Sequence, residues 1–217
     1  MKVAIIGGTG SFGRALAARL VMVGEDEIVI GSRDAERAAS TAAELGARVT
    51  GATNDEAVRG VDLAVLAVNA DAALDTARAV AGALGTTPLL SVASAIRFEK
   101  GRGMLPDPDV LSLAERVQQI VGAPIAAGLH SVAASNLEDA PDEDALVCGD
   151  DETAKMIAIE LAGRVVGGRA LDAGPLESAR ALEGLTAVIV NLNRRYKAHA
   201  GVRVTGVDGG SGQTGAE

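Results

Sequence analysis

The chain has 217 residues, 48% of them apolar and only 1% aromatic, with a formal net charge of −9. That length suits one α/β domain, or one domain with a small appendage, and the apolar share supports a sizeable core, so global disorder is excluded. The acidic balance argues against nucleic acid as a partner, because a phosphate backbone needs a basic stripe; a small anionic ligand, which answers to the local field, stays open.

The first elements alternate. Lys2 to Gly7 reads as a short buried strand, and Ser11 to Val23 as a helix with Leu16, Leu20 and Val23 at helical spacing. Glu27 to Gly31 is a second strand, and Asp34 is placed to cap a helix running to Leu45. Arg48 to Thr50 forms a short third strand, Asn54 or Asp55 opens a brief helix, and Asp62 to Val68 is a fourth strand. A helix from Asp71 to Leu84 and a strand from Pro88 to Ala93 follow. The expected fold class is α/β, a Rossmann-type doubly wound parallel sheet with a small C-terminal α/β part.

From Ser94 to Pro108 two glycines and two prolines predict a loop. A helix over about Val110 to Val121, a strand over Pro124 to Leu129 and an acidic turn over Glu138 to Asp144 come next. Ala145 to Cys148 is a strand, Glu152 to Val165 a helix, and Arg169 to Asp172 a last short strand. A long helix from about Leu176 to Lys197 carries the apolar stripe Leu182, Leu185, Ile189 and Leu192, which suits either the core or a twofold interface. The tail of residues 208–217 lacks an apolar anchor and is expected to be flexible.

Cys148 is the only cysteine, so no intrachain disulfide and no cysteine-based metal site is expected, and no metal ligand set is legible. No apolar run approaches the roughly 18–20 residues of a membrane helix, and the N-terminus lacks a basic stretch followed by an apolar one. The expectation is a cytoplasmic protein with no membrane span.

Gly8-Thr9-Gly10-Ser11-Phe12-Gly13 fits G-x-G-x-x-G between a predicted strand and a predicted helix, the context that gives the motif meaning. Gly8 is read as the tight turn, Gly10 as the point where the backbone nears a pyrophosphate, and Gly13 as the close helix–sheet contact. Free N–H groups of the first helical turn favour the anion. The carboxylate that would hold the ribose hydroxyls of NAD belongs about 20 residues further on. That place holds Arg33, between Ser32 and Asp34, with Arg37 one turn later. A guanidinium fork suits a phosphate better than a neutral ribose, so the cofactor is expected to be NADP, held by its 2′-phosphate. The plain alternative is that Arg33 and Arg37 are solvated surface cations.

His130 ends the predicted strand Pro124 to Leu129, where doubly wound sheets place ligands. It is the candidate catalytic residue, although a histidine at such a place is more often a structural hydrogen bonder. His199 lies among Arg194, Arg195 and Lys197 and reads as a surface residue. There is no Tyr-x-x-x-Lys pair and no evident histidine–carboxylate pairing. A carbonyl reductase wants a proton donor beside the new alkoxide. The shortage of donors points to an electrophile that stabilises its own charge, such as a flavin-like ring.

With these residues in view the sequence resembles the NADPH-dependent coenzyme F420 reductase (F420:NADP oxidoreductase) family over Met1 to about Val204. The resemblance rests on GGTGSFG, GSRDAER, DLAVLAV, GLHSVAA, LVCGDDETAK, LDAGPLESAR and LEGLTAVIVNLN. It implies hydride exchange between nicotinamide C4 and C5 of the deazaflavin coenzyme F420, with NADP(H) as the partner substrate. By position it implies that Thr9, Ser11 and Phe12 contact the pyrophosphate and that Ser32, Arg33 and Arg37 take the 2′-phosphate. It places Val68, Asn69 and Ala70 near the dinucleotide, and His130, Val132 and Ala134 where the two rings meet, with Ala133 and Ala134 small enough to permit close approach. It also implies a homodimer, a Rossmann domain over 1–125, a smaller deazaflavin-side domain over 126–207, and small-molecule coenzymes as partners. Two rivals share the scaffold: an NADPH-dependent reductase of another acceptor, such as an imine or metal chelate, and a non-enzymatic NADP-sensing protein.

Overall fold

The structure is a computed structural model and describes residues 1–24 and 26–207, with nothing stated for the Glu138 side chain; the expected flexible tail, 208–217, lies outside the described residues. The first strands and helices are β1 (Lys2–Ile6), α1 (Ser11–Val23), β2 (Glu27–Ser32), α2 (Ala35–Leu45), β3 (Val49–Thr53) and α3 (Asn54–Ala57). β4 (Leu63–Leu66), α4 (Ala70–Leu84) and β5 (Leu89–Ser91) follow, then β6 (Ile96–Glu99), β7 (Gly103–Pro106) and α5 (Leu113–Gln118). The remainder comprises β8 (Ile125–Gly128), a 3-10 turn (Ala134–Asp139), β9 (Ala145–Gly149), α6 (Glu152–Val165), β10 (Ala170–Asp172) and α7 (Ala179–Tyr196).

Eight strands form one sheet in the order β10-β9-β8-β5-β4-β1-β2-β3. From β3 across to β8 every neighbouring pair is parallel. The sheet is therefore mostly parallel with helices on both faces, as the alternation predicts. One pairing departs from it: β9 lies antiparallel to β8, and β10 follows β9 in parallel. A parallel return needs a long crossover, usually helical. The chain between β8 and β9 holds only the 3-10 turn, so it comes back in the opposite sense.

Side chains alternate across the sheet with period two. Ala4, Ile6, Ala64, Leu66 and Leu89 face α4, α5 and the start of α7. Val3, Ile5, Ile28, Ile30, Leu63, Val65 and Leu90 face α1, α2 and α6. Each face is an alanine-rich packing layer, which lets helices lie close to the strands.

Three expectations are corrected. The stretch predicted as a loop from Ser94 to Pro108 contains an antiparallel hairpin, β6–β7. Its turn uses Gly101 and Gly103 at φ +83° and +91°, the conformation glycine adopts most readily. The helix predicted from Val110 is shorter, Leu113–Gln118, and starts at a capping box between Ser112 and Glu115. The last helix begins at Ala179, after a 3-10 turn over Leu176–Ser178. No helix among the described residues is long and apolar enough to cross a membrane.

Candidate functional site

The carboxyl ends of β1, β4, β5 and β8 share one edge of the sheet. Chain order reverses between β1 and β4, the switch point where open α/β sheets form their ligand crevice. The glycine loop occupies the β1 end. The positive φ, +76°, falls on Gly7, not on Gly8 as the motif suggested. Gly8 serves close approach instead, since a Cβ there would lie 2.8 Å from the Ile5 carbonyl oxygen. A Cβ on Gly13 would sit 2.8 Å from the Gly8 Cα and 2.9 Å from the Gly7 oxygen, so the helix packs against the loop only because position 13 has no side chain. Asn54 Oδ1 accepts from the Gly7 N–H at 3.4 Å and props the loop from behind.

Helix α1 opens at Gly10 with no side-chain cap and no acidic residue in its first turn. By contrast α2 and α6 are capped by Asp34 and Asp151. The first N–H groups of a helix have no partner within it, so the start of α1 offers donors and the positive end of the helix dipole at one place. Thr9, Ser11 and Phe12 surround it.

Ser32 ends β2, is 8% exposed, and accepts from the Asp34 N–H through its hydroxyl. Asp34 caps α2 by accepting from the Arg37 N–H at 3.1 Å, which turns its carboxylate away from the loop. The exposed side chains of Arg33 and Arg37 have no ion-pair or hydrogen-bond partner among the described residues.

Next to the loop lies a cleft of about 510 Å³. Phe12, Val68, Asn69, Ala70 and Asp71 form one side, and Val92, Ala93, Ser94, Ile96, Leu129, His130, Val132 and Thr186 the other. The cleft thus unites Phe12, Val68, Asn69, His130 and Val132 of the expected site. Gly8, Gly10, Ser32, Arg33 and Arg37 lie outside its lining, on the loop and strand-end side. Ala133 and Ala134 lead into the 3-10 turn and do not line the cleft.

His130 is set by an unusual backbone. Leu129, fully buried, has φ +62°. A non-glycine residue in that region costs on the order of 1–3 kcal/mol and persists only where packing holds it. The Val132 N–H donates to the Leu129 oxygen at 3.0 Å, closing the turn that swings His130 into the cleft. His130 is 6% exposed, and burial lowers its pKa to about 4. Its Nδ1 lies 3.0 Å from Ser94 Oγ, Ser94 Oγ lies 2.7 Å from Thr186 Oγ1, and Thr186 donates to the His130 carbonyl oxygen at 2.7 Å. His130 Nε2 has no hydrogen-bond partner among the described residues.

Sequence reading missed Ser94 and Thr186. They stand 36 residues before and 56 residues after His130, so spacing carries no sign of the contact. The one available signal was that Ser94 follows β5 at the ligand-bearing edge.

Helix α7 arranges this side. Glu183 is buried and accepts from the N–H groups of Ala95, Leu113 and Ala114. Burial raises its pKa, against the opposing pull of those three donors. Asn191 exchanges two hydrogen bonds with the Met104 backbone and so fastens the hairpin to α7. Of the expected stripe on α7, Leu182 and Ile189 are buried, whereas Leu192 is half-exposed. Val188 and Tyr196 are exposed at 51% and 69%, giving a second, open apolar face.

Several exposed arginines are paired. Arg97 and Arg102 both reach Glu99, holding its carboxyl below the usual range, and Arg203 pairs with Asp142. Arg194 lies over the Phe98 ring. His199 is exposed, 3.3 Å from Ser135 Oγ. Cys148 is buried and its thiol is pushed up to about 12 by burial. Among the described residues no cluster of His, Cys, Asp and Glu could hold a metal.

Comparison with known proteins gives the family and the fold. Residues 2–95 match the family described as NADP oxidoreductase coenzyme F420-dependent. The chain is 37% identical to the F420-dependent NADP reductase of Methanothermobacter marburgensis, over 94% of this chain and 98% of that protein. It is 35% identical to the reductase of the same name from Methanocaldococcus jannaschii, over 96% of this chain and all of that one. A crystal structure from Arthrobacter sp. FB24, provisionally named an F420-dependent NADP-reductase, superposes with a TM-score of 0.82 at 25% identity, covering 94% of this chain and 99% of that one. The NADP-bound pyrroline carboxylate reductase of Plasmodium falciparum shares the fold at a TM-score of 0.61 and 14% identity, over 91% of this chain and 64% of that one.

Proposed function

This chain belongs to the family of the F420-dependent NADP reductases, and on that premise we propose how its residues carry the reaction. It is an oxidoreductase that moves a hydride between NADP(H) and coenzyme F420. In one direction reduced F420 gives up a hydride from C5 and a proton, and NADP⁺ becomes NADPH by accepting the hydride at C4; the other direction is the reverse.

The observation that carries the assignment of sites is the pairing of an uncapped helix start with two unpartnered arginines one strand away. The start of α1, with Thr9, Ser11, Phe12 and Gly13, holds the pyrophosphate by N–H groups and helix dipole, while Gly8 and Gly10, whose own N–H groups bond to backbone carbonyls, let the chain come close. Ser32, Arg33 and Arg37 take the 2′-phosphate, because a phosphate dianion offers Arg33 the charge-assisted contacts that a ribose hydroxyl cannot. The dinucleotide then runs past Val68 and Asn69 into the cleft, and F420 enters from the side of His130 and Val132. In this division residues 1–125 serve NADP and residues 126–207 serve the deazaflavin, although both contribute strands to one sheet.

The chain supplies placement and not a covalent group. Apolar walls from Val68, Val92, Ala93, Leu129 and Val132 keep water from the meeting point of the rings. Holding two reactants in one orientation is itself worth several kcal/mol of barrier. His130 is the one buried titratable group lining the cleft; being neutral, it positions a ring edge and is no proton donor at neutral pH.

The protein acts as a homodimer in the cytoplasm. The open apolar face of Val188, Leu192 and Tyr196 on α7 supports the dimer, since such faces on a folded chain mark contact surfaces. The single unpaired cysteine suits a reducing compartment. Purified protein mixed with NADP⁺ and reduced F420 should restore the visible absorbance of oxidised F420. Unchanged absorbance across a range of pH, with both coenzymes present, would reject the assignment.

A further inference from the structure

The hydroxyl relay behind His130 has only one consistent set of protons. Thr186 Oγ1 lies 2.7 Å from the His130 carbonyl oxygen. A carbonyl oxygen only accepts, so the single hydroxyl proton of Thr186 is spent there. Toward Ser94, 2.7 Å away, Thr186 can then only accept, and the Ser94 proton must point at Thr186. Ser94 in turn has only a lone pair left for His130 Nδ1 at 3.0 Å, so Nδ1 must carry the hydrogen. In the neutral ring this leaves Nε2 bare, and Nε2 is buried with no partner among the described residues. Burial favours the neutral ring.

We propose that Ser94 and Thr186 are positioning residues that lock His130 in its Nδ1–H form, leaving Nε2 as a bare, buried acceptor in a residue of the cleft wall, which selects a ligand that presses against that wall and donates an N–H there. The ligand half of this proposal rests on the functional reading above. Two N–H donors are chemically available. The pyrimidine ring of a deazaflavin carries one between two carbonyls, and the nicotinamide carboxamide carries an NH₂. A histidine in the other tautomer would present N–H there and pair with a carbonyl of either ring instead, shifting the ring edge it holds. The backbone makes the selection cooperative. Thr186 reads the carbonyl of the same residue whose ring Ser94 holds, so the relay closes only when Leu129 keeps its left-handed turn.

The chain has just two histidines, His130 and His199, which makes the ring spectrum simple to assign. In two-bond ¹H–¹⁵N correlation spectra of ligand-free protein at neutral pH, with His199→Gln used to assign peaks, His130 should show a protonated Nδ1 and a bare Nε2. Thr186→Val frees the Ser94 hydroxyl to donate to Nδ1, and the bare-Nε2 population should fall. Thr186→Ser keeps the hydroxyl and should restore the wild-type pattern, which a merely structural role for Thr186 would not explain.

The KM of one coenzyme should rise about five- to tenfold in Thr186→Val, the worth of one hydrogen bond, and return in Thr186→Ser. A rise for F420 alone marks the deazaflavin N–H as the donor; a rise for NADPH alone marks the carboxamide. A protonated Nε2 in the wild type, or a Thr186→Val spectrum identical to the wild type, would overturn the relay. A shifted tautomer with both KM values unchanged would overturn the ligand selection. The spectra need no coenzyme, so a protein that failed to turn over F420 would refute the functional reading while leaving the tautomer result to be judged by itself.

Discussion

At the carboxyl end of β1 the groups offered to a ligand are the main-chain N–H donors at the uncapped start of α1, which packs against the loop because Gly8 and Gly13 have no side chains. At the carboxyl end of β8 they are side chains, His130 supported by Ser94 and Thr186, drawn from three separate stretches and from α7 as well as the sheet. In the proposed function the first region recognises what every dinucleotide shares, a phosphate anion, and backbone geometry suffices for that. The second must recognise one particular ring edge, and that takes a positioned acceptor whose protonation state is controlled.

The largest effect that would break this contrast is expected from Gly13→Ala. Its Cβ would lie 2.8 Å from backbone that cannot swing aside. Overpacking of this kind costs about 1–3 kcal/mol, and the shifted loop should weaken NADPH and NADH alike by up to about a hundredfold in titration. A variant that binds both as the wild type does would show that the loop does not cradle the coenzyme. Arg33→Ala should act selectively. Loss of a charge-assisted phosphate contact costs about 1.5–3 kcal/mol, so NADPH affinity should drop about ten- to a hundredfold, with NADH affinity nearly unchanged. Equal losses would mean that Arg33 does not read the phosphate.

The remaining effect lies on the other side and is read in pH. The folded pKa of His130, about 4, lies below the ordinary 6.5. Between those values the unfolded chain binds the extra proton and the folded one does not, so this residue makes stability fall as pH drops from about 6.5 toward about 4. His130→Asn should flatten that part of the stability curve in denaturant titrations. An unaltered slope would place the ring in contact with water.

The same contrast explains what could be read from sequence. The strand–glycine–helix unit and the arginine 20 residues beyond it are local patterns whose chemistry is carried by neighbours in the chain, so Ser32, Arg33 and Arg37 could be named from sequence as the candidate NADP side. Even there the motif misassigned the turn, since Gly7 and not Gly8 takes the positive φ. His130 was legible as a strand-end residue, but its partners were not, because Ser94 and Thr186 meet it only through tertiary packing. The hairpin β6–β7 was hidden by Gly101, Gly103 and Pro106, which look like loop residues although the glycines make a tight strand connection. The antiparallel β9 was hidden because strand composition does not encode direction; only the lack of a crossover helix after β8 does.

The central claim is that a hydride passes directly between two rings brought together in the cleft. NADPH carrying deuterium at the transferred C4 position, incubated with oxidised F420 in ordinary water, should yield reduced F420 with the label at C5. Label appearing in the solvent, or reduced F420 without deuterium, would contradict direct transfer in this site.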